Sequence, residues 1–480
     1  MVSTQSEFRK KFADSAAKRK SNLILALDTP KIDRIHEAVE KAGDNLAAIK
    51  VHPEYPLIWG HGHEFLPNLM DELLKERIPL IMDAKLADID NSNAMKARYY
   101  FSQGYDAIIC HGFSGQPAVQ AVIDVANEMG KGVFLLTAMT SKGHLFDKWK
   151  IEKLARMAKE LDVAGVIAPG NNYGILRTVR RLVGPELLIL SPGIGAQGGE
   201  ADKAFIAGSD FAIVGRHIVD VDDPGKAAME LKDLMNKALK SKTLAKEENE
   251  LGGYDALFSA LVEKQVLKFG NFTLKSGRPS AYFFNAGKID DGKSIAAAAE
   301  AYADVIFQSK LHEKYDVLFG PAYKGIPIAT YVAQTLYLKY NINMRAAYDR
   351  KEEKTHGDAT GGAAKDKLIV GDIRQGDRVL LLDDVITTGG TKIETKEKLE
   401  SLGLELNING VLILFDRQET DLQGNDPLNV FKSQGMETFV VLKAKEVFGY
   451  LRNKEIDGKI LVTDDLYNAF KKHQEEFGRK

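Results

Sequence analysis

The stretch Ile78–Asp90, IPLIMDAKLADID, runs an apolar segment of the kind that forms a buried strand straight into Asp83, Lys85 and Asp88. Charged side chains are almost never buried unless they are paired or do chemistry. Seven further β-rich runs accompany it: NLILALD, LAAIKV, YDAIICHGF, GVFLLTAM, AGVIAPG, LLILSPGIG and FAIVGR, all within the first 216 residues. Most are separated by helical patterns such as QPAVQAVIDVANEMG and IEKLARMAKEL. Strands alternating with helices build parallel βαβ units, and eight evenly spaced units predict a closed (β/α)8 barrel. A doubly wound open sheet is the alternative, and the even spacing favours closure.

In such a barrel the carboxyl ends of the strands line the active site. Asp28 after LILAL, Lys50 in AIKV, and Asp83, Lys85 and Asp88 all fall there. Alternation along a strand points Asp83 and Lys85 to the same face. With Lys50 they would form an alternating charge array that keeps the lysines cationic and the carboxylate anionic in a partly dry pocket. A lysine so placed could deliver a proton to carbon, and a fixed carboxylate could crowd a leaving carboxylate. The competing reading is a structural ion-pair network tying strand ends together. Two later segments favour chemistry. SPGIGAQGG ends in a Gly-rich loop after the seventh run, and AIVGRHI brings Arg216 to the end of the eighth. Backbone N–H groups and an arginine at those loops suit a phosphate dianion.

These segments together, LILALD, IKV, DAKLADI, HGF, LLTAMT, SPGIGAQGG and AIVGR, resemble the orotidine 5′-monophosphate decarboxylases, particularly archaeal-type versions, over roughly residues 20–235. The resemblance implies a TIM barrel over residues 1–237 and a cofactor-free decarboxylation of orotidylate to uridylate. It makes Lys50, Asp83, Lys85 and Asp88 the catalytic array, with Lys85 protonating C6 of the pyrimidine and Asp83 beside the departing carboxylate. Asp88 is implied to reach a neighbouring subunit's site, hence a homodimer or larger homo-oligomer. Asp28 and Lys50 would hold ribose hydroxyls, Thr140 the pyrimidine, and Gln197, Gly215 and Arg216 the phosphate. Thr140 stands where the family often has serine, and Ser92 where it has a threonine that crosses the dimer; both changes keep a hydroxyl.

The pattern changes at LMNKALKSKTLAKEENELGGYDALF, a charged helical stretch ending in Gly252-Gly253, which places a partly helical linker at 238–252. Beyond it the β runs are fewer: YDVLFGP, MRAAYDR, RVLLLDDV, INGVLILFDR and TFVVLKA. They predict an open α/β sheet with ligands outside the carboxyl ends of its strands. RVLLLDDVITTGGT leads an apolar strand into Asp383-Asp384, then a Thr/Gly-rich loop and a helical pattern. Such a loop presents N–H groups and hydroxyls to phosphate, while the paired carboxylates accept from vicinal ribose hydroxyls. An ordinary strand-turn-helix with an acidic cap is the plain alternative.

This segment resembles the phosphoribosyl pyrophosphate (PRPP) motif of phosphoribosyltransferases. FGNFTLKSGRPSAYFFNAG, FGPAYKGIPIA, YDRKEEKTHG and LFDRQE narrow the resemblance to the orotate phosphoribosyltransferases over roughly residues 255–450. It implies a type I phosphoribosyltransferase fold over 253–480 that joins orotate to PRPP with Mg²⁺ and releases pyrophosphate, the metal being held through PRPP and pyrophosphate and not by a protein cage. Lys275, Tyr323, Lys324, Arg350, Lys351, Lys354 and His356 would contact the diphosphate, Lys354 catalytically and from a neighbouring subunit. Phe283 and Phe284 would line the orotate pocket with Arg417 near the base. Asp383 and Asp384 would hold the ribose, and Thr387, Thr388, Gly389, Gly390 and Thr391 the 5′-phosphate. TTGGT has a glycine where a hydroxyl is common, which could shift one contact onto Thr388 or Thr391.

The product of the second half would be the substrate of the first, so the two resemblances support one bifunctional enzyme of pyrimidine biosynthesis. A PRPP-binding regulator would need a basic nucleic-acid module, and a net charge of −2 offers none. One active half beside a scaffold half is opposed by the charged residues retained in both. The single cysteine, Cys110, excludes internal disulfides and suits a reducing compartment. The charged start lacks the apolar core of a signal peptide, no apolar run approaches a membrane span, and GRK is not a peroxisomal address, so the cytoplasm is expected. His61, His63 and Glu64 match no zinc spacing, and the basic helix FRKKFADSAAKRK reads as a solvated face.

Overall fold

A computed structural model describes the chain except residues 1–2, 75, 142, 195–199, 245–253, 274–276, 351–367, 387–389, 422, 457–458 and 480. It divides into two compact units, Met1–Gly253 and Tyr254–Lys480. In the first, β1 (Leu23–Ala26), β2 (Ala48–Val51), β3 (Leu80–Leu86) and β4 (Ala107–His111) are followed by β5 (Gly132–Leu136), β6 (Gly165–Ile167), β7 (Leu188–Pro192) and β8 (Phe211–Val214). All eight pair in sequence order, parallel, and β8 returns to β1 to close the barrel. Strands covered on both faces need apolar residues at every position, which is why β1 and β8 read as unbroken apolar runs and are buried throughout. The intervening helices bury one stripe each. Gln116–Met129 turns Val119, Val122, Ile123 and Ala126 inward and stops at Gly130, whose left-handed φ of 67° ends it.

The basic helix Thr4–Arg19 is only half solvated. Its Phe8, Phe12 and Ala16 are buried. Phe12 meets Phe211 edge-on at 5.1 Å and Phe134 at 5.8 Å, so the helix packs into the barrel-interior cluster. Gly132 makes the room: a Cβ there would fall 2.2 Å from the Phe8 ring. The lysines and arginines that dominate this segment's composition obscure the Phe8–Phe12–Ala16 spacing that buries it.

In the second unit β11 (Val317–Gly320), β12 (Arg345–Asp349), β13 (Ile369–Gly371), β14 (Arg378–Val385), β15 (Asn407–Asp416) and β16 (Glu437–Lys443) form one sheet. Its order is β13-β12-β11-β14-β15-β16, parallel except for the antiparallel edge strand β13. A separate antiparallel hairpin, β9 (Leu267–Thr273) with β10 (Pro279–Phe284), precedes the sheet in sequence. The five apolar runs are all sheet strands; the hairpin and the three-residue edge strand carry no such run. Helix Pro224–Leu244 continues past residue 237 into the stretch read as linker. No helix of the described residues is long and apolar enough to cross a membrane.

Candidate active sites

The mouth of the barrel is a cavity of ≈ 340 Å³ walled by Asp28, Lys50, His52, Asp83 and Lys85, with Ile109, Leu136, Ile167 and Ile213 on its apolar side. Lys50 Nζ donates to Asp83 Oδ2 at 2.9 Å and lies 3.5 Å from Asp28 Oδ2. Lys85 Nζ donates to the other Asp83 oxygen at 2.8 Å. One carboxylate is thus shared by two ammonium groups. Burial pushes the Asp83 carboxyl up, but Lys50, Lys85 and His52 outweigh it and hold it down at about 2. Burial likewise works against the charge on Lys50, only 4% exposed, yet Asp83 and Asp28 raise its pKa above the usual lysine value.

Simple alternation is not what brings Asp83 and Lys85 together. Lys85 has φ of 44°, and the β3–β4 register shifts between Met82 and Leu86. Left-handed backbone in a non-glycine residue costs on the order of 1 kcal/mol, and such outliers cluster at functional sites. Here the distortion sends the Lys85 ammonium back onto Asp83.

Thr140, Gly215 and Arg216 also line the cavity, Arg216 opening the short helix Arg216–Val219. Gly215 lies close against β1, where a Cβ would come within 3.1 Å of the Ala26 carbonyl. Asp88 and Ser92 do not line it. Asp88 is exposed, pairs with Lys96 at 2.9 Å, and its turn is fixed by the buried Asn93, which bonds both its N–H and its carbonyl. Ser92 sits half-buried in helix Asp90–Ser102. Gln197 lies outside the described residues.

Sequence reasoning missed His52. Its Nε2 lies 3.3 Å from Asp83 Oδ2 and its Nδ1 3.1 Å from the Asp83 carbonyl oxygen. Burial, then Lys50, lowers its pKa below the ordinary histidine value, so the ring is neutral near pH 7. Its position two residues after Lys50, just past the end of β2, was the available signal. The set-aside histidines have structural roles: His61 stacks on Phe65, and His63 bonds Tyr99 and the Pro53 carbonyl. Cys110 is buried, which pushes its thiol up to about 12.

In the second unit Asp383 and Asp384 close β14, both buried. Lys324 donates to Asp384 Oδ2 at 2.7 Å, and the Tyr302 hydroxyl donates to the Asp383 carbonyl at 2.6 Å. Lys324 and the exposed Tyr323 lie on the turn after β11, where Gly320 and Gly325 touch; a Cβ on Gly320 would sit 2.0 Å from the Gly325 carbonyl oxygen. The Ala322 N–H of that turn donates to Asp349, and Lys398 bridges Asp349 to the carbonyl of Arg350. Strand ends β11, β12 and β14 therefore converge on one acidic and cationic group. The helix after β14 begins at Gly390 and contains Thr391. Lys275, Lys351, Lys354, His356, Thr387, Thr388 and Gly389 lie outside the described residues.

Phe284 stacks on Phe415 with ring centres 4.5 Å apart, and Phe283 leans on Phe272. Arg417, just past β15, grips Glu419 through Nε and Nη2 at 3.2 and 2.9 Å and lies over the Tyr282 ring. Glu419 and Tyr282 were not foreseen; the QE after Asp416-Arg417 offered only a weak hint.

Fold and sites define a class: two α/β enzyme units on one chain, one a barrel with a lysine–carboxylate array, the other a phosphoribosyltransferase-type sheet. Residues 21–231 match the orotidine 5′-phosphate decarboxylase / HUMPS family, and residues 285–443 match the phosphoribosyl transferase domain. An orotidine 5′-phosphate decarboxylase of Methanococcoides burtonii is 37% identical over 45% of this chain and 99% of its own. An orotate phosphoribosyltransferase of Agathobacter rectalis is 36% identical over 46% of this chain and 95% of its own. A solved structure of Leishmania donovani UMP synthase, 24% identical, spans 97% of this chain and 99% of that one at a TM-score of 0.45. The chain belongs to the orotidine 5′-phosphate decarboxylase family through its first half and to the orotate phosphoribosyltransferase family through its second.

Proposed function

We propose that residues 253–480 join orotate to PRPP, forming orotidine 5′-monophosphate and pyrophosphate, and that residues 1–237 then decarboxylate this product to UMP and CO2. The observation that carries the reading is Asp83 held between Lys50 and Lys85 at the barrel mouth.

With the substrate's carboxylate beside Asp83, charge repulsion is relieved as the C6–carboxyl bond breaks and CO2 leaves. The electron pair left on C6 takes a proton from the Lys85 ammonium, and the lysine regains one from water. Lys50 and Asp28 hold the ribose hydroxyls, Thr140 the base, and Gln197, Gly215 and Arg216 the phosphate. Asp88, exposed and outside its own cavity, serves the partner subunit of a homo-oligomer. No cofactor enters this step.

In the transfer step Asp383 and Asp384 take the ribose hydroxyls and the loop 387–391 the 5′-phosphate. Tyr323, Lys324, Arg350, Lys351 and His356 receive the diphosphate with Lys275, and Lys354 protonates or steadies it as it departs. Among the described residues no group of three or more His, Cys, Asp or Glu side chains could hold a metal. Mg²⁺ would arrive on PRPP, held through it and the pyrophosphate, and would neutralise diphosphate charge there. The buried lone thiol supports a reducing, cytoplasmic setting.

A Lys85→Ala chain supplied with orotate, PRPP and Mg²⁺ tests both halves: orotidylate should accumulate and no UMP form. UMP at the normal rate would refute the role of Lys85, and absence of orotidylate would refute the transferase assignment.

A further inference from the structure

The loop that carries Arg417 is held by residues to which the sequence motifs assign no role. Glu419, the guanidinium's partner, has a side chain only 8% exposed, and its carboxylate accepts from Arg417, from the Tyr282 hydroxyl at 2.9 Å and from His473 Nε2 at 3.0 Å. His473 lies on helix Asp464–Phe477, more than fifty residues on in sequence. The same helix and the residue Arg479 after it bind the loop's backbone. Gln474 donates to the Arg417 carbonyl at 3.1 Å, Thr420 N–H to the Phe477 carbonyl at 2.9 Å, and Arg479 N–H to the Gln418 carbonyl at 2.9 Å. The Arg479 guanidinium pairs with the buried Asp416 and, at 3.0 Å, with Asp426.

A buried carboxylate met on every side fixes the groups around it, because breaking any one bond leaves charge uncompensated in a dry site. The consequence falls on Arg417. Its Nε and Nη2 are taken by Glu419 and Ser280, whereas its Nη1 amino group donates to none of the described residues. A planar fork with one edge anchored and the other open is built to meet a carbonyl or carboxylate oxygen.

We infer that Glu419, His473 and Arg479 are positioning residues for base recognition, holding the Arg417 fork so that its open Nη1 edge meets an oxygen of orotate. This rests on reading the second unit as the transferase. The clamp acts on the base and not on PRPP, so it separates the two substrates kinetically. Loss of a buried bond to a charged group should weaken orotate recognition ~tenfold or more.

The test uses the full chain and measures orotidylate formation from orotate and PRPP, with circular dichroism melting as the check on folding and the decarboxylation of added orotidylate as an internal reference. His473→Ala and Glu419→Gln should each raise KM for orotate ~tenfold or more and leave KM for PRPP within about twofold. His473→Gln, which keeps a donor near the position of Nε2, should return most of the loss. Should His473→Ala not fold, Arg479→Ala takes its place, with KM for orotate raised about threefold as the expected result. An unchanged KM for orotate, equal rises for both substrates, or a His473→Gln chain as impaired as the alanine chain overturns the clamp. A wild-type chain that makes no orotidylate overturns the transferase reading instead.

Discussion

Replacing Asp83 with asparagine removes the carboxylate that Lys50 and Lys85 share. A carboxyl held at about 2 instead of 3.8 prefers its charged form in the folded chain by roughly 2 kcal/mol. The amide also leaves Lys50 buried with Asp28 alone, at 3.5 Å, so the total cost at pH 7 should be about 2–4 kcal/mol. The sign follows from linkage. Because the folded pKa is depressed, the contribution is complete above about pH 4 and is lost as pH falls through about 2. Both tryptophans, Trp59 and Trp149, lie in the first unit, so tryptophan fluorescence during urea unfolding reports the barrel's transition without the second unit's. Wild type should exceed Asp83→Asn by the full margin at pH 7 and by about half of the carboxylate's share at pH 3. An unchanged or higher midpoint for Asp83→Asn at pH 7, or a margin that grows on acidification, would refute a carboxylate held charged by its two lysines.

Phe12→Ala opens a void where the first helix enters the barrel interior and should destabilise the barrel by about 3–5 kcal/mol in the same fluorescence measurement; a loss below about 1 kcal/mol would mean the helix is a surface appendage. Mixing Lys85→Ala chains with Asp88→Asn chains should restore decarboxylation to roughly a quarter of wild type, since a mixed pair holds one intact site. No gain over the sum of the separate variants would place Asp88 outside the partner's site. Cys110, buried with its thiol pushed up to about 12, should resist an aromatic disulfide reagent until the chain unfolds in urea; labelling of the native protein within minutes would contradict this.

The barrel was legible because parallel strands buried on both faces must be apolar at every position, and each such run announced itself. The hairpin Leu267–Phe284 was not, since its strands are half exposed and interrupted by Gly270, leaving no pattern of either period. The meeting of Asp83 and Lys85 was foreseen for an incomplete reason. Their spacing suggested a shared face, but the contact depends on a left-handed residue that alternation does not describe. His52 escaped because its environment is made by Asp83, which is distant in sequence and adjacent only across β2 and β3. Glu419 and His473 escaped for the same reason over a longer span. Local pattern reveals strands; it cannot show which buried carboxylate a distant helix will serve.

Orotate labelled at its carboxyl carbon, given to the purified chain with PRPP and Mg²⁺, follows both steps in one reaction. Labelled CO2 should appear only when PRPP is present, in step with UMP, and should stop when Asp83 is replaced. Label remaining in orotate, or label trapped in orotidylate with no CO2 from the wild-type chain, would contradict the proposed function.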